Sequence, residues 1–455
     1  MRLVGLDVGT TSVCGLLLET PSGKILDVLS AANTFRLPGV QPDEALQDPL
    51  GILDASERII EQLTGAGETV AGIGVTGQMH GIVYLDDHGE PVGPLYTWQD
   101  GRGEREFADG RTYASFLSEA LGAPVSTGFG FVTHFWNIRN DAVPDRASCV
   151  CTIADFVALR LAGAHRPIMD AGNAASLGCF DLENLRFRAD AAAQLGVSPS
   201  IFPPVALDYP SLGKGPGGAP VFVALGDNQA SFLGAVGDRS HAVHINIGTG
   251  SQLSVFSDRF APAAGIDLRP FPWGGYIYVG AGLCGGRAYA LLHAFFERTV
   301  RLFTGGAKGA VYEIMNAVGP EHLPGTGRVA VDTRFQGTRS NPSLRGSIEN
   351  LGPETFTPEH LIVGLREGMA AELFRFYNRL PTETRQKAEM MIGSGNGIRL
   401  NPKLRNAFEH CFRMPMKVPA HTEEASFGAA LLAGIAAGVL SNLQAAGALI
   451  RYDSE

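Results

Sequence analysis

Two stretches of this chain repeat one another. Residues 3–12 read LVGLDVGTTS, and residues 242–253 read AVHINIGTGSQL. Each is an apolar run that meets a glycine–threonine turn and then returns to apolar residues, a pattern that predicts a buried β-strand entering a tight hairpin. Matching the turns sets Gly9 beside Gly248, Thr10 beside Thr249, Ser12 beside Ser251 and Asp7 beside Asn246, at equal turn spacing. A duplicated strand and hairpin at this separation requires two related α/β domains, one around each copy. Gly, Thr and Ser turns offer backbone N–H groups and hydroxyls that converge on one point, which suits phosphate oxygens. One such turn is more often only a turn. The repetition favours two phosphate-gripping hairpins, with Gly9, Thr10 and Thr11 in the first and Gly248, Thr249, Gly250 and Ser251 in the second. Only the first copy carries a carboxylate. Asp7 is therefore the expected oxygen ligand for Mg²⁺, an ion that keeps several waters and shares substrate phosphates. The plainer reading of Asp7 is a strand-end residue that satisfies local N–H groups.

With 455 residues and 45% hydrophobic content, there is material for two to three cores. The boundary is expected near Gly237 to His241, giving domains 1–237 and 238–455. The 58 glycines and 27 prolines sit mostly between apolar runs and mark loops. A net charge of -10 with no basic stripe argues against nucleic acid or an anionic membrane as partner. The longest uncharged apolar run, 428–440, is shorter than the ~18–20 residues of a membrane span. The start of the chain lacks a signal-peptide pattern, and the six cysteines form no CxxC pair. Both features suggest a cytoplasmic protein with free thiols. A monomer or homodimer is expected.

Along the chain, strands are expected at 14–19, 24–30, 70–75, 82–85 and 221–225, and a helix at 48–63. Residues 103–210 read as mostly helical, and 230–236 as a short helix. The second half restarts with strands at 243–247, 252–256 and 276–281, a helix reaching about 302, a long helix at 357–380 and a strand at 390–392. An apolar helix at 425–440 is expected against the second sheet. Gly72, Gly74 and Gly77 match GxGxxG, but the residues that follow return to strand pattern instead of opening a helix, so a dinucleotide site is rejected. No P-loop occurs.

Several residues could carry chemistry. Asp227 ends an apolar strand, where carboxylates of parallel sheets face the ligand crevice, and could take the proton of an attacking hydroxyl; the plainer reading is a helix N-cap. Trp98, Asp100 and Arg102 combine an aromatic face, an acceptor and a fork of donors, a set suited to a polyol. Gln78 and His80 follow a strand at a similar crevice position. Gly393, Ser394, Gly395 and Asn396 also follow a strand and would let backbone approach a flat ring.

Taken together, LDVGTT, TGQMHG, WQDGR, LGDNQAS, NIGTGSQL and GSGNG fall in the order found in the FGGY carbohydrate kinases, within the actin-like, ribonuclease H-like ATPase superfamily, and the chain resembles that family over nearly its whole length. The resemblance implies an α/β protein of two ribonuclease H-like domains with a ligand cleft between them. It implies ATP and Mg²⁺, with Asp227 as general base, Asp7 organising magnesium, the two turns on ATP phosphates and residues 393–396 on adenosine. Gln78, Met79, His80 and Asp100 would line the sugar pocket, with Trp98, Arg102 and Asn228 beside them. Within the family, VTGQMHGIVYL, TWQDGR, STGFGFVTHFW, GNAASLGCF and ALGDNQAS are most similar to members that phosphorylate sedoheptulose. Xylulose or another ketose or polyol is the alternative, and a sugar-independent actin-like ATPase is the alternative of a different class. The adenosine motif departs from the commoner Gly-Gly-Gly-Ala, with Ser394 for a Gly and Asn396 for the Ala.

Overall fold

The computed structural model describes residues 1–39, 41–65, 69–306, 310–338, 341 and 343–453. The chain forms two compact units. One holds Met1–Gly237, Arg269–Gly275 and Glu423–Arg451; the other holds Asp238–Leu268, Tyr276–Thr422 and Tyr452–Glu455.

In the first unit, β1 (Arg2–Val8), β2 (Ser12–Glu19), β3 (Lys24–Ala32), helix α1 (Pro49–Thr64), β4 (Val70–Gly77), helix α2 (Ile153–Leu161), β5 (Ser211–Lys214), β6 (Pro220–Phe222) and helix α3 (Asp227–Ala235) follow in order. The sheet runs β5-β6-β4-β1-β2-β3. β1 lies antiparallel to β2 and parallel to β4. It is apolar nearly throughout because both of its faces are covered, the usual state of a strand with a parallel neighbour in an α/β sheet. α1 starts at Asp48, whose side chain accepts from Leu50 N–H, and buries Ile52, Leu53, Ile59, Ile60 and Leu63.

The second unit contains β7 (Ala242–Ile247), β8 (Ser251–Ser257), β9 (Tyr276–Gly282), helix α4 (Gly286–Thr304), helix α5 (Pro358–Tyr377), β10 (Met390–Ser394), helix α6 (Pro402–Phe412) and β11 (Met416–Lys417). Five strands of its sheet run β9-β8-β7-β10-β11. β7 is antiparallel to β8 and parallel to β10. This is the connectivity of β3-β2-β1-β4, so the repeat seen in the turns extends to both sheets, and each unit is an α/β layer of the ribonuclease H-like kind.

The equal spacing of the two turns does not carry over to their pairing. Val8 pairs with Val13, leaving four residues in the first loop, whereas Ile247 pairs with Ser251, leaving three. The first loop is closed by Gly9 N–H donating to Ser12 O at 2.9 Å. In the second, the carbonyls of Gly248 and Thr249 instead accept from Gly286 and Arg287 N–H, at 2.9 and 3.1 Å, as α4 begins.

Helix α7 (Glu424–Ala436) corrects an expectation. It packs on β1, β4 and α3 of the first unit, not on the second sheet. Glycines create its seat. A Cβ on Gly5 would fall 1.8 Å from Ser426 O, one on Gly74 1.9 Å from Ala429 O, and one on Gly234 1.9 Å from Glu424 O. No helix among the described residues is long and apolar enough to cross a membrane. All six cysteines are free.

Candidate active site

Three carboxylates of the first unit share one field: Asp7 near the end of β1, Asp227 at the first position of α3, and Glu423 just before α7. Burial, then repulsion from Asp227 and Glu423, pushes the Asp7 carboxyl up to about 7. Its Oδ1 is enclosed and has no hydrogen-bond partner. An orphaned acceptor oxygen among mutually repelling carboxylates fits a divalent cation, which would relieve both deficits. The described residues form no cage of three or more His, Cys, Asp or Glu ligands; magnesium fits this, because it takes one or two carboxylates and completes its shell with water and phosphate. Glu423 was not singled out from the sequence. Its only signal is its place before the apolar helix, and its Oε2 accepts from Cys14 Sγ at 3.4 Å.

α3 begins three residues earlier than expected, which places Asp227 inside the helix. Gly226 occupies the cap position, and no side chain caps this end. The Asp227 carboxylate is therefore not spent on capping. Its Oδ1 accepts from Asn228 Nδ2 at 2.7 Å. Burial raises its carboxyl, while the Asn228 hydrogen bond and the Arg269 charge pull the other way.

The first hairpin is tied to residues from two other segments. Asn33 Nδ2 donates to Gly9 O at 2.9 Å, and Gln47 Nε2 donates to Thr10 O at 3.1 Å. Gln78 Nε2 donates in turn to Gln47 Oε1 at 2.9 Å. Thr10 Oγ1 accepts from Trp98 Nε1 at 3.0 Å and contacts Gln78 Oε1 at 3.4 Å. Thr10, Gln78 and Trp98, expected at phosphate and sugar, thus form one network. The hydroxyl of Thr10 already serves that network, which leaves only its backbone for the phosphate role expected of it. Trp98 remains 41% exposed, an aromatic platform held by its indole N–H. Neither Gln47 nor Asn33 carries a local pattern that sequence reading could use.

His80 has φ 73°, a left-handed conformation that costs free energy in a non-glycine residue and clusters at functional sites. Its N–H donates to Ser176 Oγ at 3.1 Å, and its Nδ1 meets Ser176 O at 2.8 Å, which fixes Nδ1 as the protonated nitrogen. The ring stacks on Phe129 at 4.4 Å. Behind Ser176, Asp170 caps the helix Ala171–Ser176 by accepting from Gly172 and Asn173 N–H. Asn173 Nδ2 donates to Asp155, itself boxed by Thr152 at the start of α2. The GNAASLGCF segment thus positions His80.

Asp100 and Arg102 are placed differently from expectation. Asp100 is 0% exposed. Its Oδ1 accepts from Arg102 Nε at 2.6 Å; its Oδ2 accepts from Ala45 N–H at 3.1 Å and Arg102 Nη2 at 3.2 Å. Arg102 Nη1 donates to Asn137 Oδ1 at 2.8 Å, and the guanidinium lies over the rings of Tyr96 and Trp136. The pair satisfies itself inside the unit. It braces the loop that presents Trp98, and it does not present a sugar-facing carboxylate and fork.

Met79 is buried, and its sulfur lies 3.9 Å from Arg269 Nη1. The same nitrogen donates to Asn228 Oδ1 at 3.0 Å. Arg269 was missed from the sequence, since the stretch IDLRPFP carries no recognisable motif.

In the second unit, the tip residues Gly248 and Thr249 are exposed, while Ser251 Oγ is enclosed without a partner. Gly285 presses on this turn so closely that a Cβ there would lie 2.1 Å from Gly250 O. The 393–396 segment lies at the end of β10. Ser394 is buried, with its hydroxyl 2.8 Å from His244 Nε2, so its side chain is unavailable to a ring and only its backbone is left for that role. Gly395, at φ 78°, would carry a Cβ 2.5 Å from Ile247 O. Asn396 opens the short helix Asn396–Arg399.

Comparison with known proteins fits this geometry. The family pattern described as the N-terminal domain of the FGGY family of carbohydrate kinases matches residues 2–234, and that of its C-terminal domain matches residues 247–437. The sedoheptulokinases of Mus musculus and Homo sapiens are each 29% identical to this chain, over 94% of it and 96% of theirs. The crystal structure of xylulose kinase from Rhodospirillum rubrum superposes with a TM-score of 0.86 at 25% identity, covering 100% of this chain and 93% of that one.

Proposed function

The chain belongs to the FGGY family of carbohydrate kinases and is an ATP-dependent sugar kinase, and from that premise we propose that it transfers the γ-phosphate of ATP to the terminal primary hydroxyl of sedoheptulose, giving sedoheptulose 7-phosphate. The observation that carries the substrate is the likeness to two sedoheptulokinases over nearly the full length of both partners. Xylulose is the second reading, favoured by the fold-wide likeness to a xylulose kinase.

In this reading the sugar lies against Trp98, with Gln78, Met79 and His80 along it, and Asp100 and Arg102 hold the loop rigid from inside. The hydroxyl donates its hydrogen to Asp227 and attacks the γ-phosphorus in line. The bond to the β,γ-bridging oxygen breaks, ADP leaves, and the proton stays on Asp227 until solvent removes it. Backbone N–H groups at Gly9, Thr10 and Thr11 face the transferred phosphate. On the second unit, Gly248, Thr249, Gly250 and Ser251 hold nucleotide phosphates, and the backbone of residues 393–396 lies along adenosine. Asp7 would hold magnesium, which would neutralise phosphate charge there. Phosphoryl transfer needs mainly such positioning and neutralisation.

The test is ADP release with sedoheptulose, xylulose, ribulose and glycerol. The highest kcat/KM is expected for sedoheptulose. Preference for xylulose would move the substrate to the second reading, and equal release without sugar would remove the sugar altogether. Asp227→Asn should lower kcat by about 10²–10⁴-fold.

A further inference from the structure

We infer that Arg269 is a positioning residue for Asp227, acting through the side chain of Asn228. The inference rests on the reading of Asp227 as the base.

Arginine carries only donors. Its Nη1 contact to Asn228 Oδ1, at 3.0 Å, therefore fixes which way the amide faces. With the oxygen toward Arg269, the amide nitrogen faces Asp227 and donates to Oδ1 at 2.7 Å. An amide without that restraint can turn over and set its oxygen against the carboxylate, which loses the bond and frees the base to rotate. The arginine is itself held firmly. It is 9% exposed and begins the short segment Arg269–Gly275, which belongs to the first unit although the chain on either side belongs to the second. That segment docks on α3, the helix that starts at Asp227. Gln229 Nε2 donates to Pro270 O at 3.0 Å, and Phe271 meets Phe232 edge-on with centroids 5.5 Å apart. Asn228, Gln229 and Phe232 thus engage one extended segment along one stretch of helix. The guanidinium also offsets part of the burial penalty on ionised Asp227. Its contact with Met79 sulfur joins the base to the sugar-side residues.

The test uses the full chain with its best ketose. Arg269→Met keeps the bulk and removes the donors, and should lower kcat by about 10²-fold with the KM for ATP within about twofold. Arg269→Lys keeps a donor and the charge, and should recover at least tenfold of that loss; added guanidinium should partly rescue Arg269→Met. Asn228→Ala breaks the same link from the other side. Combined with Arg269→Met it should cost no more than the worse single change, because the two act in series. If Arg269→Met does not fold, Arg269→Lys and Asn228→Ala decide the matter, with a wild-type kcat in Asn228→Ala overturning the relay. Wild-type kcat in Arg269→Met beside an inactive Asp227→Asn overturns the relay alone. Losses that multiply in the double variant overturn it as well, since Arg269 then acts independently of Asn228. Full activity in Asp227→Asn overturns the base and the relay together.

Discussion

Asp155 and Asp170 lie at 1% and 2% exposure, held by neutral donors and not by cations. Burial pushes their carboxyls up to about 7 and about 6. The folded state therefore holds these protons more tightly than the unfolded chain, where a carboxyl titrates near 4. The linked stability is complete below about pH 4 and is lost as pH rises toward 7. Asp155→Asn keeps the shape and cannot ionise. A tenfold change in proton affinity is worth about 1.4 kcal/mol; at roughly 2–4 °C per kcal/mol in a domain of 150–250 residues, that is about 3–6 °C. Between pH 5 and pH 8 the wild-type melting temperature should fall more steeply than that of Asp155→Asn, by at least that amount. Parallel melting curves would show that Asp155 does not carry the linkage. Single residues were legible where local context marks them: Asp7 and Asp227 are carboxylates at strand ends with a glycine within two residues. Gln47, Asn33 and Arg269 were not, because each bonds a partner 24 to 41 residues away. Asp100 and Arg102 were visible as a cluster, but an aspartate and an arginine two residues apart in a turn can close on each other, and only packing reveals that they do.

Among the elements, α7 shows why a helix can be read without its partner. Its sequence, EASFGAALLAGIA, is apolar on every side, so no polar stripe says which sheet it covers. The answer lies in its seat. Gly72 and Gly74 of β4 are two members of the GxGxxG match that was rejected as a dinucleotide site, and both face this helix, with Ala433 O at 3.3 Å and Ala429 O at 1.9 Å from an added Cβ. Gly5 of β1 does the same. Gly5→Ala must push α7 off the sheet or bend the strand, and should destabilise by about 3–5 kcal/mol, at the severe end for overpacking of a core. Gly306→Ala, where nothing lies within 4 Å, should stay within about 0.5 kcal/mol. Urea midpoints of the two variants separate the cases: an unchanged midpoint in Gly5→Ala would mean that the helix seat yields at little cost.

At the scale of the whole molecule, the duplicated hairpin made two α/β sheets legible, but contiguity of each unit was an assumption that the chain does not obey. Residues 423–451 return to the first unit after the second is complete, and the link that brings them back has no local signature. α7 covers a face of β1 and β4, and without it that face would meet water. Exposed apolar area costs roughly 25 cal/mol per Å², and helix α1 cannot compensate, because it lies on the opposite side of β1 and β2, where Gly15 meets Ile59 and Leu63. The first unit therefore cannot reach its native stability until nearly the whole chain is available. The second unit keeps β7 to β11 and α4 to α6 without that segment, so loss of the tail should act unequally. A chain ending at Thr422 should lose sugar-dependent ADP release and bind a hydrophobic dye. Its amides in β1 and β4 should exchange at least about 10²-fold faster than in the full chain, a protection loss of about 3 kcal/mol, while those in β7 and β10 slow exchange as before. Retained protection in β1 together with retained kinase activity would show that the first unit folds on residues 1–237 and 269–275 alone.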